Sequence, residues 1–369
     1  MEDEFYIKMA MKLAKKGWGR ASPNPMVGAV VVKNGEIVGK GYHKRYGEPH
    51  AEVNALKEAG ENARGGTLYV NLEPCCIHGH TPPCTETIIK SGIKKAVCST
   101  LDPNPKVKGK GINILKEAKI QVKTGMLKEE AEKLNEAYFK FMKTGLPLVI
   151  LKVAQTIDGK IATKSGDSKW ITSGDSRKFV HQLRSQVDAV LIGAHTAIKD
   201  NPELTIHNQK GGNPKRIVLD SHGRISPQLK LIKNNKDGKT IVATVDSKKK
   251  LPVEVWRIKK DKEGKVDLLG LLKKAKEKNI TSILVEGGSE VFTSFLKSNL
   301  VDKIYCFISP RILGDGKSSF GDLGTIKVSD SICLKDVEIR KFSNDLLISG
   351  YLVGRKNLSE AKSSPVKGG

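Results

Sequence analysis

The sequence predicts two layered α/β domains in tandem. Its 369 residues exceed the roughly 100–200 of one typical domain. Short β-branched runs alternate with stretches of helical periodicity in both halves. The alternation breaks at Gly145-Leu146-Pro147, where a glycine stop followed by proline ends a helix. Domains are therefore expected at 1–145 and 146–355, with the polar stretch 356–369 a disordered tail.

In the first half, apolar spacing predicts a helix over Phe5–Lys16. Val27–Val32 and Ile37–Tyr42 read as strands joined by Asn34-Gly35, a two-residue hairpin turn. A helix follows over Ala51–Ala59, then a strand over Thr67–Leu72 ending at Glu73-Pro74. Helices at Thr85–Lys90 and Gly111–Lys119 alternate with strands at Ala96–Thr100 and Gln121–Thr124, and one long helix is expected over Lys128–Lys143. In the second half, strands are expected at Leu148–Val153, Ala189–Ile192, Arg216–Leu219, Thr240–Val245, Ser282–Val285 and Lys303–Ser309. Helices at Ser176–Arg184, Leu268–Lys278 and Glu290–Ser298 lie between them.

Composition excludes several classes. Hydrophobic residues at 38% suffice for packed cores, so the chain as a whole is not disordered. No apolar run approaches the ~20 residues that cross a bilayer, and the acidic start Met1-Glu2-Asp3-Glu4 is not a secretory signal. A cytoplasmic chain without a membrane partner is expected. The net charge of +24 raises nucleic-acid binding. Aromatics are only 5%, however, and none interleave with basic runs such as Lys248-Lys249-Lys250. A base-stacking platform needs that interleaving, so the charge reads as solvated surface and no nucleic-acid partner is expected. A homo-oligomer is.

The six cysteines are too sparse for a disulfide scaffold, but Cys75, Cys76 and Cys84 fall within ten positions. With His50-Ala51-Glu52 they form the strongest local signal. His50, Cys75 and Cys84 supply one imidazole and two thiolates, three zinc ligands that leave the fourth tetrahedral position for water. The thiols lie beside predicted helix starts, where the dipole favours thiolate. Zinc lowers the pKa of bound water from 15.7 toward about 7. Glu52 then serves as the proton carrier rather than as a ligand. H-x-E with P-C-x-x-C is the nucleobase deaminase pattern; here Cys76 to Pro83 lengthen the Cys-to-Cys spacing to eight intervening residues. A closed structural site using Cys76, His78 or His80 is the alternative. Cys98, Cys306 and Cys333 read as buried core thiols.

Asn24-Pro25-Met26-Val27-Gly28, His50-Ala51-Glu52, Glu73-Pro74-Cys75-Cys76, Thr81-Pro82-Pro83-Cys84-Thr85-Glu86, Asp102-Pro103-Asn104-Pro105 and Gly109-Lys110-Gly111 together resemble the bifunctional deaminase/reductase family of riboflavin biosynthesis, from about Glu4 to Gly354. The long Cys-to-Cys insert is itself typical of that family. The resemblance implies a cytidine-deaminase-like three-layer domain that deaminates 2,5-diamino-6-(5-phosphoribosylamino)pyrimidin-4-one, a small phosphorylated pyrimidine. Asn24 would hold the substrate at the pocket wall. The chain departs from the family at Ile77, where a His is common, and at His80, where a basic residue is.

In the second half, Gln155 to Ala162 follows a strand. Ile192-Gly193-Ala194-His195-Thr196 runs into Lys199-Asp200-Asn201-Pro202, and Val285-Glu286-Gly287-Gly288-Ser289 ends a strand and opens a helix. The two glycines allow close backbone approach to a ligand, and a helix N-terminus offers free N–H groups to phosphate. The Rossmann G-x-G-x-x-G is absent. The resemblance implies a dihydrofolate-reductase-like α/β domain that uses NADPH to reduce the ribosyl group to ribityl. Matching positions imply NADPH contacts at Ala154, Trp170, Thr196, Asp200, Ser221 and the turn Gly288, Ser289, Glu290, Val291, Phe292, Thr293 and Ser294. Substrate contacts are implied at Ser168, Arg184, Leu204 and Glu286. Three residues after Leu204 the family carries an Arg where this chain has His207. His is only partly charged at neutral pH, so weaker phosphate affinity that rises on acidification is expected, unless Lys210 substitutes. Lys152 and Asp158 are the candidates for general acid.

Overall fold

The computed structural model describes residues 2–79, 81–206, 212–246 and 248–353. The expected tail at 356–369 lies outside them. The chain divides into two compact units, Met1–Pro147 with Asn279–Thr281, and Leu148–Lys278 with Ser282–Gly369.

The first unit runs α1 (Glu2–Ala14), β1 (Gly28–Lys33), β2 (Glu36–Tyr42), α2 (Ala51–Ala59), β3 (Thr67–Val70), α3 (Cys84–Lys90), β4 (Lys95–Cys98), α4 (Lys110–Glu117), β5 (Gln121–Thr124), α5 (Lys128–Leu134) and α6 (Glu136–Thr144). Its five strands lie in the order β2-β1-β3-β4-β5. β1 is antiparallel to β2 and β3, and β3, β4 and β5 are mutually parallel. The Asn34-Gly35 turn has both φ positive, at 52° and 79°, the twist a tight hairpin requires.

Alternation along the strands makes three layers. Ala29, Val31, Leu68, Val70, Ala96 and Cys98 pack on one face with Ala55, Leu56, Ile88 and Leu115 of the helices. Val30, Val32, Tyr69 and Val97 pack on the other with Tyr6, Ile7, Ala10 and Ala131. Two glycines of β2 let α2 sit almost on the strand. A Cβ at Gly41 would lie 2.2 Å from the carbonyl oxygen of Ala51, and one at Gly39 would lie 2.2 Å from that of Ala55.

The helix expected over Lys128–Lys143 is broken at Asn135, whose backbone (φ −111°, ψ 26°) leaves the helical region. The break turns the Asn135 side chain inward. Its Oδ1 accepts the Met26 N–H at 2.8 Å and its Nδ2 donates to the Met26 carbonyl at 2.9 Å. Asn71, after β3, grips the same loop, accepting from Gly28 N and donating to Met26 O. A local helical pattern cannot reveal a side chain recruited by a loop 109 residues away.

The second unit runs β6 (Leu148–Thr156), β7 (Lys160–Thr163), α7 (Gly174–Ser185), β8 (Ala189–Gly193), α8 (Ala194–Asp200), β9 (Lys215–Leu219), α9 (Lys230–Lys233), β10 (Thr240–Thr244), β11 (Glu254–Arg257), α10 (Leu268–Glu277), β12 (Ser282–Gly287), α11 (Ser289–Lys297), β13 (Lys303–Ser309), β14 (Gly316–Ser318), β15 (Cys333–Phe342) and β16 (Asp345–Val353). Nine strands form one sheet in the order β11-β10-β9-β8-β12-β6-β13-β16-β15. It is parallel from β11 to β13 and closes with an antiparallel β13-β16-β15 edge. That edge hairpin was not expected, because β15 (CLKDVEIRKF) is mostly exposed and lacks a buried apolar run. Cys333, expected in the core, lies exposed at the start of this edge strand. Cys98 is buried and Cys306 half-buried.

Asn135→Ala is expected to cost about 2 kcal/mol, because it leaves the Met26 N–H without a partner and its C=O with Asn71 alone. The urea midpoint of the first unit should fall. An unchanged midpoint would mean that water satisfies both groups.

Candidate active sites

In the first unit, three loops converge. α2 begins at His50, which stands at its N-cap in extended backbone, so Glu52 falls in the first turn. Cys75 follows β3, and Cys84 opens α3. The ligand atoms of His50, Cys75 and Cys84 all lie within 4.8 Å of one another. His50 Nδ1 is 3.3 Å from Cys84 Sγ and 3.4 Å from Cys75 Sγ. Tetrahedral zinc with these ligands spaces them about 3.5–3.8 Å apart, so the three fit the ion with little movement.

The electrostatics suit a cation. A hydrogen bond from Cys84 and then one from His50 hold the Cys75 thiol down to about 4, while donating its proton pushes Cys84 well up. The Cys84 backbone N–H also donates to Cys75 Sγ at 3.4 Å, so the start of α3 aims a donor at the thiolate. Glu52 is buried, which pushes its carboxyl up to about 7, and its Oε2 has no hydrogen-bond partner.

Among the described residues no fourth protein ligand joins the cluster. Cys76 is not in it, and His78 turns to Glu86 at 3.4 Å with its side chain 76% exposed. His80 lies outside the described residues. Ile77 is exposed.

Asn24 is half-buried, and its Nδ2 lies 3.1 Å from His43 Nε2. The ring of His43 meets that of His50 edge-on, with centroids 5.1 Å apart. Glu73, just past β3, accepts from the backbone N–H of Asp102, Gly109 and Ile112, which ties the loop after β4 to the start of α4. Asp102 takes the Tyr138 hydroxyl at 2.9 Å, and burial pushes its carboxyl up to about 6.

The second unit places Ala154, Thr196, Ser221, Glu286 and Gly288 at or just past the carboxyl ends of parallel strands, where α/β sheets bind ligands, while Ser168 and Trp170 lie in the loop before α7 and Arg184 on α7 itself. β8 and β12 are neighbours, and each launches a helix through glycine. Gly288 has φ 83°, a conformation that excludes other residues, and a Cβ there would lie 3.3 Å from Thr196 Oγ1. The turn Gly288–Ser294 thus abuts Thr196. Asp200 ends α8, Ala154 lies late in β6, and Ser221 follows β9 with its Oγ accepting the Val266 N–H. Trp170 is 62% exposed, and the Arg177 guanidinium stacks 4.4 Å from its ring centroid. Ser168 is half-buried in the loop between β7 and α7. Leu204 is buried with φ 53°, uncommon for a branched side chain. His207 and Lys210 lie outside the described residues.

Arg184 is neither a solvated helix residue nor a free clamp. Its Nε and Nη2 donate to the two Glu286 oxygens at 2.5 and 2.9 Å, and its Nη1 donates to the Thr205 carbonyl. Lys152 Nζ stands 3.6 Å from Glu286 Oε2. Burial alone would push the Glu286 carboxyl up, but Arg184 and Lys152 overcome this and hold it at about 2. Burial pushes the Lys152 ammonium down. Sequence reading had these three residues singly, and tertiary pairing joins them. Asp158 accepts from Thr156 Oγ1, Leu313 N and Gly314 N, and a carboxylate held ionised by such donors is a poor proton source.

Comparison with known proteins agrees. The family described as the cytidine and deoxycytidylate deaminase zinc-binding region matches residues 1–100, and the RibD C-terminal domain family matches 147–348. The riboflavin biosynthesis protein RibD of Aquifex aeolicus is 46% identical over 349 residues, 94% of this chain and 97% of that one. RibD of Escherichia coli is 40% identical over 96% of this chain and all of that one. A crystal structure from Thermotoga maritima, a diaminohydroxyphosphoribosylaminopyrimidine deaminase/5-amino-6-(5-phosphoribosylamino)uracil reductase, has a TM-score of 0.87 and 41% identity over 95% of this chain and 99% of that one. Acinetobacter baumannii RibD gives 0.88 and 35% over 96% and 99%. Fold and site define an enzyme of two activities, a zinc-dependent deaminase joined to a reductase. The chain belongs to the RibD family, the bifunctional deaminase/reductases of riboflavin biosynthesis.

The Glu286 carboxylate gives the second unit a pH signature. Its pKa in the fold, about 2, lies below its ordinary 4.5, so it adds stability above pH 4.5 that is lost as pH falls through 2. Arg184→Met should reverse this, because the buried carboxylate keeps only Lys152. We expect a loss of about 3–5 kcal/mol at neutral pH that shrinks on acidification. A variant as stable as the parent at pH 7 would show the pair to be dispensable.

Proposed function

We propose that residues 1–145 deaminate 2,5-diamino-6-(5-phosphoribosylamino)pyrimidin-4-one and that residues 146–355 reduce the ribosyl side chain of the product to ribityl with NADPH. The observation that carries the reading is the convergence of His50, Cys75 and Cys84 beside a buried carboxylate with an unpartnered oxygen.

His50 Nδ1 and the two thiolates hold the zinc. When bound, zinc supplies Lewis acidity that makes hydroxide available near neutral pH. Glu52 is the catalytic proton carrier. Burial pushes its carboxyl up from the ordinary carboxylate range, which suits a group that must both accept and release a proton. Its Oε2 takes a proton from water and passes it to a ring nitrogen as the water oxygen bonds to the amine-bearing carbon; the carboxyl then takes the remaining proton of that added hydroxyl and hands it to the amine, so that the C–N bond breaks, a carbonyl forms and ammonia leaves. Asn24 holds the substrate from the Asn24–Gly28 loop that Asn71 and Asn135 fix.

In the second unit, Ala154, Trp170, Thr196, Asp200, Ser221 and Gly288–Ser294 hold the cofactor. The N-terminus of α11 directs backbone N–H groups to a phosphate. NADPH, when bound, supplies the hydride to the first carbon of the sugar. Ser168, Arg184, Leu204 and Glu286 line the substrate side; His207, outside the described residues, is a substrate contact on the resemblance alone. The paired Arg184 sets the Glu286 carboxylate rather than gripping phosphate with its fork.

Among the described residues no helix is long and apolar enough to cross a membrane. The free cysteines of the described structure fit a reducing, cytoplasmic setting. The partner is a small phosphorylated pyrimidine, not nucleic acid. The homo-oligomer we propose would cover apolar side chains of the second unit, where Ile326 is 92% exposed and Val328 90%. Light scattering should therefore give a homo-oligomer that Ile326→Glu with Val328→Glu weakens; a parent that stays monomeric at tens of micromolar, on the order of a stable interface's working range, overturns this.

The direct test mixes purified protein, the diaminopyrimidinone phosphoriboside and NADPH, and follows ammonia release beside loss of nicotinamide absorbance. Glu52→Gln should keep its zinc and lose deamination by about 10²–10⁴-fold. His50→Ala should lose both zinc and deamination. Each variant should still oxidise NADPH on the preformed deaminated compound. Loss of both activities in a folded protein would defeat the two-site reading.

A further inference from the structure

Resting on the reading of Asn24 as a substrate contact, we propose that His43 is a positioning residue for the deamination, one that sets which end of the Asn24 amide faces the substrate. His43 lies just past β2 and is 2% exposed. Its Nδ1 is 3.2 Å from the carbonyl oxygen of Pro49. A carbonyl only accepts, so Nδ1 carries the hydrogen and donates. The other nitrogen, Nε2, is then a bare acceptor in the neutral ring. Nε2 lies 3.1 Å from the Asn24 side-chain nitrogen, which must therefore be the donating NH₂.

One end of the amide is spent on His43. Among the described residues the other end, Oδ1, takes no hydrogen bond. It is the open group beside a ring that itself meets the ligand His50 edge-on. The Asn24 loop cannot swing to relieve this choice, because Met26 and Gly28 are held by the buried Asn71 and Asn135. The chain of constraint runs from a backbone carbonyl, through one imidazole tautomer, to an amide offered as an acceptor. The pocket wall therefore asks the substrate for an N–H or O–H, and penalises an analogue that presents a lone pair there.

The motif carries no sequence flag, since an isolated His after a strand reads as an ordinary core residue.

The test is a double-mutant cycle in the full-length zinc enzyme, with zinc per chain, KM and kcat for deamination, and reduction of the preformed deaminated compound as the check on folding. Asn24→Ala should raise the deaminase KM. His43→Leu frees the amide to turn and should raise KM about ten-fold, with kcat and zinc content little changed. In the Asn24→Ala background it should add nothing. His43→Gln, which returns an acceptor at the end of the side chain, should recover most of the loss. An equal His43→Leu penalty with and without Asn24, or loss of zinc, shows that His43 serves His50 instead and overturns the inference while leaving the Asn24 reading intact. An unchanged KM in Asn24→Ala overturns that reading and this inference with it. Should His43→Leu fail to fold, long-range proton–nitrogen correlation on the unmodified, histidine-labelled holoenzyme decides the matter. A neutral His43 protonated on Nδ1 supports the inference, and one protonated on Nε2 ends it.

Discussion

The close seating of α2 on β2 is the constraint from which the deaminase site follows. Gly39 and Gly41 leave no side chain between strand and helix, so backbone meets backbone. The helix start then lies beside the end of β3 and the start of α3, and His50 reaches Cys75 and Cys84 without an intervening layer. Helix starts are also where partial positive charge gathers, which favours the thiolates that a cation needs. Packing and electrostatics therefore converge on the same few ångströms. The burial that brings the ligands together also raises the carboxyl of Glu52, so one act of desolvation supplies both a cation site and a proton carrier.

The reductase half solves a different problem by different means. Its carboxylate, Glu286, is also largely enclosed yet held ionised, because two cations share its oxygens. The contrast separates the two chemistries. Near-neutral burial suits a group that must cycle a proton. A fully paired carboxylate suits a group that must hold neighbours in place while a cofactor does the bond-making. Both lie where strands end and helices begin, but the first site is defined by what remains unpaired and the second by what is paired.

The cluster of His50, Cys75 and Cys84 was legible in the sequence because metal chemistry restricts residue type and spacing, and because these residues flank the most periodic segments. The strands at Gln121–Thr124 and Lys303–Ser309 and the helix at Ala51–Ala59 were read to the residue, since each has a sharp polar boundary. What escaped depends on distant partners. Asn135 breaks a helix that its neighbours favour, in order to serve Met26. Arg184 was read apart from Glu286 because its partner is 102 positions away. β15 was missed because an edge strand with solvent around it needs no alternation of apolar residues, and Cys333 was misplaced into the core for the same reason. Local pattern reports local energetics, and these residues answer to tertiary ones.

The order of the large sheet has a consequence for how the chain is made. β12 lies between β8 and β6, although some ninety residues separate it from the end of β8. Until it is synthesised, β6 has no neighbour on that side, and the β8-to-β11 group is a separate raft with an open edge. The raft and the strand must wait for their keystone while the ribosome translates α9, α10 and the connecting loops. A sheet completed from its middle has high contact order and an unpaired edge late in synthesis. Its nascent form therefore carries a bare strand edge through the synthesis of some ninety residues.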